Sequence, residues 1–363
     1  MNGLADDSYK FGAGRFVMRL GLLEEIGGEL RYYGESPYFV GGPTALALAR
    51  PRLQAGLAKA GMEGVFGVHA GQVCHEAARQ KAQEARESRC DMVVAVGGGR
   101  AMDFGKLVAG ELGTRVLCLP TSISTCAAYT PFSLLYTPDG RAIPGNYCYP
   151  LENAAILVDL DIMVAQPARY VIAGALDAMA KWLEIRNGSP ALNKGSRPLA
   201  QMAGYWLAQF TFEGLRGQID SALADLAAGR ASQALEEMIF LNIPLTGIVS
   251  ALSRGVGQSA LAHELYYQLR TLFPRETMGA LHGEIVGLGL LPQLYYNGEA
   301  ARVEPFRAFL RAMGAPTCLS ETGFPFSPAH YAQLYQKLES SNHVGRDAAA
   351  KRRFAEAMAQ IAR

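Results

Sequence analysis

The sequence lacks the features that mark several large classes of protein. No Cys-x-x-Cys pair occurs; the six cysteines (Cys74, Cys90, Cys118, Cys126, Cys148 and Cys318) stand far apart. That spacing argues against zinc knuckles and redox dithiols. In a chain of this length it predicts free thiols in a cytoplasmic protein. Charge is sparse as well. Only 18% of residues are charged and the formal net charge is +1, so neither a nucleic-acid surface nor an anionic-membrane patch is expected. A clean apolar run of ~20 residues is missing. The nearest approach, MIFLNIPLTGIVSALS (238–253), is interrupted by Asn242, Pro244 and Thr246, and reads as a helix buried in a soluble core. The opening stretch, MNGLADDSYKFGAGRF, has no apolar segment after a basic start and does not read as a secretory signal.

Half of the 363 residues are hydrophobic, enough for a large interior and for two domains. Up to about residue 160, short β-type runs (38–41, 64–70, 92–97, 115–120 and 154–159) alternate with helical stretches such as 44–61 and 73–89. Continuous apolar strands separated by helices predict a parallel sheet covered on both faces. Beyond residue 160, apolar residues recur at helical spacing and strand signals nearly vanish. The expected organisation is an α/β domain over 1–160 and an all-α domain over 161–363.

Within VVAVGGGRAMDFGKLVA (93–109), Gly97, Gly98 and Gly99 follow a strand and open a helix. Without a Cβ they let backbone N–H groups approach a ligand closely, at the positive end of a helix dipole. This is neither G-x-G-x-x-G nor a P-loop, which ends in Gly-Lys-Ser/Thr. Asp103 and Lys106, three residues apart, read on their own as a surface ion pair beside a tight turn.

Histidine is scarce. His69, His75, His330 and His343 read as structural or surface residues. His263 (SALAHELYYQL) and His282 (GALHGEIVGLGLL) sit instead on apolar helices, as does Asp177 (AGALDAMAKWLE). A carboxylate on a buried helix is costly unless paired or bound to a metal. Each histidine singly reads as a hydrogen-bonded core residue; the three together make a candidate divalent-metal site with an open position.

The ordered set GGG-x-x-x-D-x-x-K, PTSISTC (120–126), G-x-x-D-x-x-A-K-W (174–182), Ala262-His263 and His282-Gly283-Glu284 resembles the glycerol dehydrogenase family. That family belongs to the iron-containing alcohol dehydrogenase and dehydroquinate synthase-like superfamily. The resemblance implies an α/β dinucleotide-binding domain with a parallel sheet, then an all-α domain that binds metal and substrate. It implies a metal, Zn²⁺ or alternatively Fe²⁺, on Asp177, His263 and His282, which are also the catalytic set. It places the pyrophosphate of NAD or NADP on Gly97, Gly98 and Gly99 near Asp103. Thr121, Ser124, Thr130, Phe132, Leu134 and Tyr136 would line the nicotinamide side. A small-molecule substrate and a homo-oligomer are implied as well, with no nucleic-acid or membrane partner.

The chain departs from the glycerol enzymes at three positions. Cys126 stands where their substrate loop has an Asp, and TCAAYTPFSLLY (125–136), with Ala180-Lys181-Trp182, resembles the hydroxycarboxylate dehydrogenase branch more closely. Gly42 stands near the position where NAD-dependent members commonly hold the ribose with an Asp, which favours NADP(H). Tyr266 replaces the second His of an H-x-x-H pattern. The expected activity is hydride transfer between a nicotinamide and a small 2-oxo or 2-hydroxy acid, with Lys181 and Arg254 as candidate cations for the carboxylate. The alternatives are a polyol dehydrogenase using NAD and Zn²⁺, and a catalytically silent nucleotide-binding homologue.

Overall fold

Burial on both faces explains why several strands lack the alternation of a half-exposed sheet. Every residue of the strands over 37–41, 92–97 and 155–159 is buried. In the computed structural model, which describes residues 10–191, 199–253 and 257–362, the first unit runs β1 (Phe16–Arg19), α1 (Ile26–Leu30), β2 (Pro37–Gly41), α2 (Pro43–Lys59), β3 (Val65–Val68), α3 (His75–Glu87), β4 (Met92–Gly97), α4 (Gly99–Leu112), β5 (Arg115–Pro120), β6 (Phe132–Tyr136), β7 (Ala142–Cys148), β8 (Ala155–Asp159) and α5 (Leu160–Met163). Six strands form a parallel sheet in the order β1-β8-β5-β4-β2-β3, while β6 and β7 pair as an antiparallel hairpin. A core of Leu22, Ile26, Phe39, Leu53, Val94, Leu117 and Leu157 packs against the sheet.

The strand order sets where a ligand belongs. The chain leaves β2 toward β3 on one side and leaves β4 toward β5 on the other. The carboxyl ends of β2 and β4 therefore flank a topological switch point, the place where open α/β sheets bind ligands. Parallel pairing sets Gly41 beside Val96. Gly42 and Gly97 thus leave the sheet from adjoining strand ends.

The chain continues through α6 (Ala168–Glu184) and α7 (Leu199–Ala227), then α8 (Gln233–Phe240), a π-turn over Leu241–Leu245 and α9 (Thr246–Leu252). By spatial clustering, unit 1 is Met1–Val171 with Gln218–Arg254, and unit 2 is Ile172–Gly217 with Gly255–Arg363. Residues 218–254, which read in sequence as part of the helical half, cluster with the α/β unit. Phe240 meets Phe16 edge-on at 5.8 Å, and the Asn242 amide donates to the Ile123 carbonyl. Pro244 has no N–H to offer a regular helix, and the π-turn absorbs it. The span Gln233–Leu252 is, among the described residues, the one helix long and apolar enough to cross a membrane; 67% of its most apolar stretch is buried inside the protein.

Unit 2 holds α10 (Leu261–Leu272), α11 (His282–Tyr296), α12 (Val303–Ala312), α13 (Pro328–Glu339) and α14 (Ala348–Ala359), with most of α6. Close helix approach here depends on glycine. A Cβ on Gly283 would collide with the Ala173 carbonyl oxygen of α6, and one on Gly289 would lie 2.6 Å from Ala262 Cα of α10. These contacts bring α6, α10 and α11 together where their polar residues sit.

Candidate active site: a glycine cradle and a metal-binding triad

In unit 1, the turn from β4 to α4 is built around Gly97, whose φ of +143° is strained for any residue with a Cβ. A Cβ there would also lie 2.7 Å from the Ala101 Cβ. Gly98 is the N-cap of α4 and has no side chain to cap it, so the first-turn amides are left for another acceptor. The loop after β5 packs over this turn: the Thr121 amide donates to the Gly97 carbonyl at 3.0 Å, and a Cβ on Gly99 would meet Thr125 Oγ1 at 2.8 Å. Gly42 is the N-cap of α2, again without a side-chain cap and with open space where a Cβ would point. The residues present fit a pyrophosphate cradle.

Gly97→Ala is expected to cost about 1–3 kcal/mol of stability from backbone strain and to weaken NADPH binding. Thermal unfolding and a fluorescence titration check this; an unchanged dissociation constant would remove the cradle.

Asp103 and Lys106 are not a surface pair. Lys106 is fully buried, its ammonium 2.9 Å from Asp103 Oδ1. It also donates to the carbonyls of Ala127 (3.1 Å), Thr130 (3.0 Å) and Phe132. Asp103 Oδ2 accepts the Leu134 amide at 3.1 Å. The i,i+3 spacing is right, but the pair points into the fold, where it fastens the 127–134 segment. Asn153 helps, donating to the carbonyls of Ala128, Tyr129 and Thr130. Thr121, Ser124 and Cys126 stand on the loop that precedes this segment, and Thr130, Phe132, Leu134 and Tyr136 on or just before β6. Thr130 is buried and the other six are half-buried. Cys126 opens a turn, its carbonyl accepting the Tyr129 and Thr130 amides.

In unit 2, α6 carries Asp177, α10 carries His263 near its start and α11 opens with His282. One donor atom from each lies within 4.8 Å of the others. Asp177 Oδ1 is 3.2 Å from His263 Nε2 and 3.3 Å from His282 Nε2. These are ion-pair distances without hydrogen-bond geometry, and this buried oxygen has no hydrogen-bond partner among the described residues. A buried oxygen and two imidazole nitrogens converging in this way fit a divalent cation. Burial by itself would raise the Asp177 carboxyl; His282, His263 and the Lys181 ammonium outweigh it and hold the group well below the usual carboxylate range.

Three further residues complete the surroundings. Lys181, one turn after Asp177, is buried with Nζ 3.4 Å from His263 Nε2. Glu184, one turn further, bonds His263 Nδ1 at 2.5 Å. Tyr266 packs its ring against His282 with centroids 4.2 Å apart. Glu184 was not legible as a site residue, although its i+7 spacing from Asp177 puts both on one helix face. Arg254 lies outside the described residues. Glu24, Asp159 and Asp161 are close enough to suggest a second metal site, but Arg52 bridges all three at 2.5, 3.2 and 2.9 Å and supplies the counter-charge. His69, His75 and His330 have structural partners in Gln72, Glu111 and Pro325, and His343 lies 3.8 Å from Glu264.

Unit 1 thus carries a switch-point glycine cradle on a parallel sheet, and unit 2 carries two histidines and a carboxylate whose donor atoms fit a divalent cation. Residues 13–159 match the iron-containing alcohol dehydrogenase family. The chain is 33% identical over 241 residues to glycerol dehydrogenase of Thermotoga maritima, covering 65% of this chain and 64% of that one. It is 29% identical over 280 residues to hydroxycarboxylate dehydrogenase A of Escherichia coli, covering 77% and 75%. A probable glycerol dehydrogenase from Sinorhizobium meliloti superposes with a TM-score of 0.81 at 25% identity, covering 97% of this chain and 99% of that one. Residues 13–159 thus carry an iron-containing alcohol dehydrogenase family domain, and the chain has homologues among the glycerol and hydroxycarboxylate dehydrogenases. The family uses NAD(P) and a divalent metal.

Proposed function

We propose that the protein interconverts a small 2-oxo acid and its 2-hydroxy acid, using NADP(H) and a divalent ion, Zn²⁺ or alternatively Fe²⁺. The observation that carries the acid substrate is the buried Lys181 ammonium, 3.4 Å from a metal-ligand nitrogen. Charge balance supports it. Asp177 and Glu184 contribute two negative charges and Lys181 one positive. A divalent ion leaves one net positive charge, which a substrate carboxylate neutralises in a buried site. Cys126, where the resembling glycerol enzymes have an Asp, is uncharged in its own loop.

When bound, the metal supplies Lewis-acid polarisation of a carbonyl oxygen and the dinucleotide supplies or accepts the hydride. Asp177, His263 and His282 hold the ion. The amides at Gly97, Gly98 and Gly99 hold the pyrophosphate, and the uncapped start of α2 at Gly42 receives the 2′-phosphate. Asp103 acts from behind by fastening the segment that carries Thr130, Phe132, Leu134 and Tyr136, with Thr121 and Ser124 on the preceding loop. Lys181 orients the substrate through its carboxylate.

Glycerol oxidation with NAD is the second reading, favoured by the similarity to the Thermotoga maritima enzyme. Steady-state assays of 2-oxoglutarate and 2-oxobutanoate with NADPH, against glycerol with NAD, separate the two. Turnover is expected with the 2-oxo acids, and Lys181→Met is expected to raise their KM by about 10–100-fold, the loss of one charge-assisted hydrogen bond. Activity with glycerol alone, or an unchanged KM in the variant, overturns the acid reading.

A further inference from the structure

Asp177, Lys181 and Glu184 occupy one face of α6, but only Glu184 is saturated with donors. Its Oε1 accepts the amides of Ala260 at 2.6 Å and His263 at 2.9 Å, and its Oε2 meets His263 Nδ1 at 2.5 Å. The carboxylate is fully buried. It therefore does two things. It caps the start of α10 from a distance, placing a negative charge where that helix exposes unpaired N–H groups. It also dictates which imidazole nitrogen carries a proton. A nitrogen 2.5 Å from a carboxylate oxygen must donate, and a neutral imidazole has one N–H to give. The Nε2 lone pair is then directed to the side where Asp177 Oδ1 lies 3.2 Å away and Lys181 Nζ 3.4 Å away.

His282 is held differently. Its Nδ1 is buried without a hydrogen-bond partner among the described residues. The ring is placed by packing against Tyr266 and by its position at the head of α11.

We propose that Glu184 is the positioning residue that makes His263 a metal ligand, by fixing the Nδ1–H tautomer and the ring's place at the start of α10. It meets the metal only through His263. The proposal rests on the metal reading of the triad and adds to it an inequality between the two histidines. In general, partners of this kind are worth 10–100-fold in metal affinity.

Glu184→Gln tests the proposal with almost no change of shape. If the Gln carbonyl keeps the two backbone amides, its NH₂ faces Nδ1 and forces the proton to Nε2, which can then no longer ligate. If the amide flips, its NH₂ faces two N–H donors. Either orientation disfavours metal. The full-length protein, stripped with a chelator, is titrated with Co²⁺ and followed by visible ligand-field absorption. Wild type is expected to bind one Co²⁺, Glu184→Gln about 10–100-fold more weakly, and Glu184→Asp, which keeps an acceptor-only group, between the two. Equal affinity in wild type and Glu184→Gln overturns the role of Glu184 and leaves the triad standing. A wild type that binds no Co²⁺ sinks both. Because the variant could fail to fold, ¹⁵N NMR of the imidazole nitrogens in Zn²⁺-loaded wild type is the second arm. A protonated His263 Nδ1 is expected; an unprotonated one overturns the proposal.

Discussion

Asp177→Asn is expected to leave the purified protein without stoichiometric metal and to lower kcat/KM on the order of 10³-fold or more, as several kcal/mol of Lewis-acid stabilisation are lost. The amide is nearly isosteric, so packing against α10 and α11 survives. What disappears is the negative charge that gathers the two imidazoles around one point. Stability falls as well. In wild type without metal, His282, His263 and Lys181 outweigh the desolvation of the Asp177 carboxylate, so its charge stabilises the fold at neutral pH. The variant is therefore expected to melt below chelator-treated wild type, while wild type reloaded with metal melts above both. Metal analysis, steady-state kinetics and thermal melts check the three parts. Full metal content with wild-type turnover in Asp177→Asn would dismiss the triad as a metal centre.

The second large effect belongs to Lys106. Lys106→Met is expected to cost about 3–5 kcal/mol, because it strands the buried Asp103 carboxylate and the three carbonyls the ammonium served. Methionine fills most of the volume, so the loss is electrostatic and not a cavity. The midpoint of urea unfolding should fall without a change in slope. Nucleotide affinity should fall too, since the segment fastened by Lys106 and Asp103 includes positions assigned to the nicotinamide side. A shift below about 1 kcal/mol would mean that Asn153 and the β6–β7 pairing hold the segment unaided.

The parallel sheet was legible because β2, β4, β5 and β8 are uninterrupted apolar runs, and a strand buried on both faces can be little else when it is so short. The hairpin was not. Phe132–Tyr136 drew notice only as a nucleotide-contacting stretch, and Ala142–Cys148 contains Pro144 and Gly145, which weaken any strand signal. Its pairing is set by partners that no local pattern displays. The grouping of Asp177, His263 and His282 was legible because they are polar intrusions on apolar helices, a conflict that burial alone does not resolve. Lys106 was misread because an Asp and a Lys three residues apart on a helix ordinarily face water. Glu184 was invisible for a related reason. A glutamate in the last turn of a helix reads as solvated, and its partner lies 79 residues away. The return of residues 218–254 to the first unit was hidden because helical periodicity shows that a face is buried, not which element buries it.

The single face of α6 that bears Asp177, Lys181 and Glu184 has a consequence for how such an enzyme can diverge. An inserted or deleted residue in this helix would rotate the following side chains by about 100° and dismantle all three roles at once, so the helix can change only by substitution. Even then the three positions are not equally free. Asp177 faces two histidines, and Glu184 joins His263 to the start of α10. Lys181 meets this cluster through one contact of 3.4 Å and through its charge. Of the three positions, 181 is therefore the one where a substitution breaks the fewest contacts.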